Sequence, residues 1–140
     1  MLEKDSELTD LKKLVEAGVQ FHGHLGPYLV AGIRMGRFAL RKLDSPGYKD
    51  LNVEVKTGAR PPISCLADGI QVATGCTLGK GNIKIVAGDL PSATFRSGNR
   101  SLSVAYRPEA EHPIEFSSLE EAANHLLDLP EEDIFRWELR

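Results

Sequence analysis

Residues 65–86 read CLADGIQVATGCTLGKGNIKIV, and the pattern changes character part-way along. Ser64 is a good N-cap residue, so a helix is expected from about Cys65 to Thr74. Residues 75–81, GCTLGKG, form a glycine-rich loop. Ile83, Ile85 and Val86 then predict a strand. A helix feeding a strand through such a loop implies helices packed against a sheet.

The segments on either side extend this reading. Upstream, Leu51, Val53 and Val55 alternate with Asn52, Glu54 and Lys56, the pattern of a strand with one buried face. Pro61-Pro62 separates that strand from the helix. Before it, Ser45-Pro46-Gly47 signals a turn. Leu8, Leu11, Leu14 and Val15 recur at helical spacing, and Gly18 is read as the end of that run. Pro27 fits the first turn of a second helix carrying Val30, Ile33, Phe38 and Leu40 and lasting to about Leu43. Gly32 and Gly36, four apart on it, suggest close helix packing. Downstream, residues 94–96 and 102–106 flank Ser97-Gly98-Asn99-Arg100, a hairpin turn. Ser117 and Glu120 are read as a capping box for a helix with Leu119, Ala122, Ala123, Leu126 and Leu127. Pro130 is expected to start a short last helix ending with Phe135 and Trp137. The expected order is α-α-β-α-β-β-β-α-α. It describes an α+β fold with a small, mixed or mostly antiparallel four-stranded sheet flanked by helices, its last three strands a meander. The 140 residues suit a single domain over 1–140.

Composition narrows the function classes. The chain is 41% hydrophobic, enough for a core without disulfides, and its net charge is −3 with both signs dispersed. No lysine/arginine cluster suggests nucleic-acid binding, and no apolar run approaches a membrane span. MLEKDSELTD at the start has no signal-peptide character, so the cytoplasm is expected. In that compartment the two cysteines, Cys65 and Cys76, suggest metal or redox chemistry more than a disulfide.

Within FHGHLGPYL, residues 21–29, His22 and His24 are separated by one glycine, which lets two imidazoles aim at one point. Neutral imidazole is the commonest metal ligand near pH 7. The plain alternative is a surface loop with two unrelated histidines. Cys65 falls in the first turn of its helix, where a thiolate is expected to be stabilised, against the alternative of an inert buried thiol. Asp68 shares its face and is a candidate ligand-orienting group or general base, or merely complements the helix dipole. Gln71, a turn further on, is a candidate hydrogen-bond partner for substrate. Eleven residues of continuous helix would put Cys65 and Cys76 roughly 16 Å apart, so a shared ion requires the chain to fold back or Cys76 to come from another subunit. The 75–82 loop lacks the spacing of a nucleotide phosphate loop. Its N–H groups and Lys80 are still candidates for holding an anion, if the loop is more than a tight connection.

Two blocks, FHGHLGPYLVAGIRMG (residues 21–36) and CLADGIQVATGCTLGKGNI (residues 65–83), resemble the FmdE family of formylmethanofuran dehydrogenase subunits. The likeness covers about residues 21–106. It implies an α+β domain, usually dimeric, with a histidine–cysteine site to which His22, His24, Cys65, Asp68 and Cys76 correspond. The family typically reads HGH-x-C-P-G, whereas Gly26 stands here at the cysteine position and Tyr28 at the glycine after the proline. Some members carry a cysteine-rich zinc ribbon; no cysteine follows Cys76, and none is expected here.

Three functional expectations follow. The first is a metal-dependent protein, with zinc or another transition metal on His22, His24 and Cys65, an open position for a small-molecule substrate, Asp68 behind the ligands and Lys80 as anion anchor. The second is a non-catalytic accessory or metal-delivery subunit of a molybdenum or tungsten oxidoreductase. The third is a metal-free thiol enzyme with Cys65 as nucleophile. A homodimer is expected in each case.

Overall fold

The computed structural model describes residues 11–108 and 118–140. The elements run α1 (Leu11–His22), α2 (Pro27–Leu43), β1 (Asn52–Val55), α3 (Cys65–Thr74), β2 (Ile83–Ile85), β3 (Ser92–Ser97), β4 (Arg100–Tyr106), α4 (Leu119–Asp128), α5 (Glu131–Ile134) and β5 (Phe135–Leu139). The fold is α+β. Among the described residues no helix is long and apolar enough to cross a membrane.

The sheet has five strands, not four, in the order β2-β1-β3-β4-β5. The extra strand is β5, where a helix was expected. Phe135 and Trp137 are two residues apart, so only an extended chain puts both on one face. There both rings reach Phe38 of α2, with centroids 5.5 and 4.9 Å away. Burying an aromatic of this size contributes on the order of 1.5–3 kcal/mol, which outweighs a weak local preference for helix.

The expected meander of β2, β3 and β4 is also corrected. β2 pairs with β1 in parallel, and β1 stands between β2 and β3. The chain after β2 passes β1, where Val86 N–H donates to Val55 O and Leu90 N–H to Lys56 O. The antiparallel run is instead β1-β3-β4-β5.

The alternation read in β1 holds, with Val53 and Val55 buried. They lie in register with Phe95 and Ala93 of β3, which pair in turn with Leu102 and Val104 of β4. Leu40 and Met35 of α2, Leu66 and Ile70 of α3 and Leu126 of α4 complete one main core. A second, smaller cluster joins Leu11, Leu14, Val15 and Val19 of α1 to Leu29, Ile33 and Ala73.

Helix ends follow the sequence in part. Pro27 opens α2 as expected, and Gly75 closes α3 with φ +78°, a left-handed turn that favours glycine. Ser64 stands at the N-cap of α3 without a capping side-chain bond. The cap of α4 is Ser118, whose Oγ accepts from Glu121 N–H at 3.1 Å, one residue beyond the expected pair; Ser117 lies outside the described residues. Leu8, assigned to the first helix, lies outside them too.

α2 and α3 pack in parallel and very close. Gly32 lies against the Leu66 carbonyl and Gly69 Cα, and Gly36 against Ala73 and Thr74. Gly69 in turn lies against Leu29 and Ile33 backbone. Only residues without a Cβ allow this approach. The starts of both helices are thereby brought to the same end of the molecule, where the end of α1 also arrives.

Candidate functional site

His22 is the last residue of α1, not part of a loop. Gly18, expected to stop that helix, is buried inside it, and a Cβ there would meet Ile33 Cδ1 at 2.8 Å. Leu11, Val15, Gly18 and His22 are spaced 4, 3 and 4 apart, so His22 continues the face that α1 turns inward. That spacing was the available signal, and reading glycine as punctuation concealed it.

His22 Nδ1 lies 2.6 Å from Asp68 Oδ2. A carboxylate only accepts, so Nδ1–H is the donor. In the neutral imidazole this tautomer leaves Nε2 with a bare lone pair. His22 Nε2 is buried and has no hydrogen-bond partner among the described residues. The His22 side chain is 10% exposed and that of Asp68 35%. Beyond Gly23 the exposed His24 ring folds back on His22, with centroids 4.6 Å apart and planes tilted by 37°. Asp68 Oδ1 is 3.5 Å from Gln71 Nε2, a marginal hydrogen bond.

Cys65 begins α3, one turn before Asp68, and is half-buried. Its thiol is pushed up in pKa, first by burial and then by the Asp68 charge, with a smaller opposing effect from its own backbone N–H. This corrects the expectation of a thiolate stabilised at a helix start. The first N–H groups of α3 are already taken: Cys65 donates to Pro62 O, Leu66 to Ile63 O and Ala67 to Ser64 O. They have little left to offer a thiolate.

Cys76 and Lys80 are not brought to this site. They follow the other end of α3, a ten-residue helix spanning about 15 Å. Cys76 is fully buried in the main core, its Sγ within 3.6 Å of Leu51 O and 3.8 Å of Tyr48 O. Burial raises its pKa as well. Lys80 is exposed, its Nζ 5.8 Å from the centre of the Tyr48 ring. The glycine-rich loop is held by Asn82, which accepts from Thr77 N–H and donates to Tyr48 O and Leu51 O. It serves as a braced connection.

The structure thus brings together His22, His24, Asp68 and Cys65 at one end of the paired helices. Among the described residues, no three His, Cys, Asp or Glu side chains are already placed to hold a metal ion. The family model described as "FmdE, Molybdenum formylmethanofuran dehydrogenase operon" matches residues 21–136. The chain belongs to the FmdE family. A curated relative, the "Probable S-adenosyl-L-methionine-binding protein" of Archaeoglobus fulgidus, is 34% identical over 84 residues, covering 58% of this chain and 22% of that one. This chain therefore spans about a fifth of that relative's length. The crystal structure of a tungsten formylmethanofuran dehydrogenase FmdE-like protein from Syntrophus aciditrophicus superposes with a TM-score of 0.60 at 21% identity. That match covers 100% of this chain and 77% of the other, and it supports the FmdE fold.

Proposed function

We propose that this FmdE-family chain binds a transition-metal ion at His22 and His24. Zinc best suits two imidazoles and a thiolate. The reading rests on one observation: His22 has Nδ1 fixed by Asp68 at 2.6 Å and Nε2 buried without a partner. A carboxylate behind an imidazole orients the ring and raises its basicity towards a metal. An unpaired buried nitrogen is otherwise a cost without a return. His24 is the neighbouring donor and Cys65 the third, giving up its proton on binding. Cys76 and Lys80 stand outside this set.

When bound, such an ion polarises a carbonyl or activates water at its open position. Asp68 keeps the His22 proton on Nδ1, so that Nε2 stays a ligand. Work beside a molybdenum or tungsten oxidoreductase, and assembly as a homodimer, belong to the same proposal and draw support from the family alone. A metal-free thiol mechanism is less well supported, because the Cys65 proton is held more tightly than in a free thiol.

The test is metal content of the untagged protein by mass spectrometry, with His22→Ala, Cys65→Ala and Asp68→Asn variants. We expect about one ion per chain, lost in His22→Ala and Cys65→Ala, and bound 10–100-fold more weakly in Asp68→Asn. A wild-type chain that takes up no metal from zinc under reducing conditions overturns the reading.

A further inference from the structure

Beside Asp68 a cleft of about 370 Å³ opens between α3 and the sheet edge. We propose that it is the substrate pocket of the His22–Asp68 site and takes a small molecule with an apolar body and an amine head, the head paired with Asp68. The proposal rests on the site reading above for its catalytic meaning, and on the cleft itself for its ligand.

The walls are apolar. Ala67 comes from α3, Ile83 and Ile85 from β2, and Leu78 from the loop between them. β2 is an edge strand, and Ile83 and Ile85 are in register with Val53 and Val55. Both therefore turn towards the helix side of the sheet, at a margin that no further strand extends. Ile85 is left 43% exposed and Leu78 85%. Apolar surface around a concavity of this volume is the usual make-up of a small-molecule site.

The polar end decides the head group. Asp68 commits Oδ2 to His22, while Oδ1 has only the marginal contact with Gln71. The carboxylate therefore has acceptor capacity facing the cleft. The other charged lining residue is Lys84. It is paired with Glu54 in the sheet register and alternates with Ile83 and Ile85, so its side chain lies on the opposite face, with Nζ 3.8 Å from Glu54 Oε2. The charge presented to the occupant is negative. A carboxylate-bearing molecule is repelled and an ammonium is attracted. After burial, the Asp68 charge is the next cause of the raised Cys65 pKa, an effect of the same negative field.

Three probes with one apolar body separate the possibilities: 2-phenylethylamine, 2-phenylethanol and phenylacetate. Each is titrated into the full chain, with and without zinc, while methyl NMR signals of Leu78, Ile83 and Ile85 are followed. We expect the amine to shift all three and to bind at least about tenfold more tightly than phenylacetate, the scale of one charge-assisted hydrogen bond. Asp68→Asn should remove the preference for amine over alcohol and keep the methyl shifts. Ile85→Ser, at a half-exposed position, should weaken all three probes alike. His22→Ala should abolish metal uptake and keep amine binding, so the two readings fail separately. Phenylacetate binding as tightly as the amine overturns the proposal. So do methyl signals that no probe moves, or that move with protein concentration alone, the mark of a second copy in the cleft.

Discussion

At Gly26 the backbone is extended, with φ −145° and ψ 163°, so the position does not require glycine. A Cβ built there comes within 3.3 Å of His24 Nε2. His24 is exposed and can move by the few tenths of an ångström this needs. The FmdE pattern places a cysteine at this position, and the geometry puts its side chain beside the second imidazole. Gly26→Cys should therefore fold normally and tighten zinc binding at least about tenfold, since the binding energy of a structural zinc site leaves a few kcal/mol to each ligand. Competition against a chromophoric chelator measures this, and an unchanged affinity would place the ion away from His24. Cys65 supports a second prediction. Burial and then Asp68 disfavour its thiolate, so its alkylation by iodoacetamide should have a midpoint above the free-thiol value of about 8.5. Asp68→Asn should lower that midpoint. The folded chain holds this proton more tightly than the unfolded one, so the contribution to stability is complete below about pH 8.5 and is lost as pH rises beyond it.

At the scale of elements, the site depends on how closely α2 approaches α3. A methyl group on Gly32 would overlap the Leu66 carbonyl oxygen and crowd Gly69 Cα at 3.0 Å. These are backbone atoms, which cannot swing aside. Gly32→Ala should cost at least about 1–3 kcal/mol and reduce metal uptake, because separating the helices displaces Asp68 from His22. Gly79→Ala, with nothing within 4 Å of its Cβ, should leave both unchanged. Denaturant midpoints of the two variants check the contrast. Sequence spacing anticipated this helix contact through Gly32 and Gly36, and it anticipated α3 itself, because Gly75 is a true stop. It failed where one residue type has two uses. Gly18 was read as a stop but fills a helix contact, which hid His22 at the end of α1. Phe135 and Trp137 were read as a helix end, yet their spacing suits a strand face, and only Phe38, far away in the sequence, reveals which holds. The His22–Asp68 contact joins residues 46 apart. No local pattern carries such a pairing.

Over the whole molecule, the two apolar clusters differ in size and in what they hold. The main core joins α2, α3, α4 and the sheet, whereas α1 is held by the smaller cluster and buries only Gly18 fully. Local opening should therefore begin at α1. Yet α1 carries His22, whose partner Asp68 sits on α3 in the main body. An ion on His22 Nε2 that also engages Cys65 would tie the outer helix to the main core. Zinc at a hundredfold excess over its dissociation constant should add about 2.7 kcal/mol to global stability. Its effect on hydrogen exchange should be uneven, with the largest slowing in the amides of α1, the element whose opening breaks the site. His22→Ala should abolish both effects. Slowing spread evenly over α1 and the sheet would mean that α1 does not open separately, and slowing confined to residues around Cys76 would place the ion at the other end of α3.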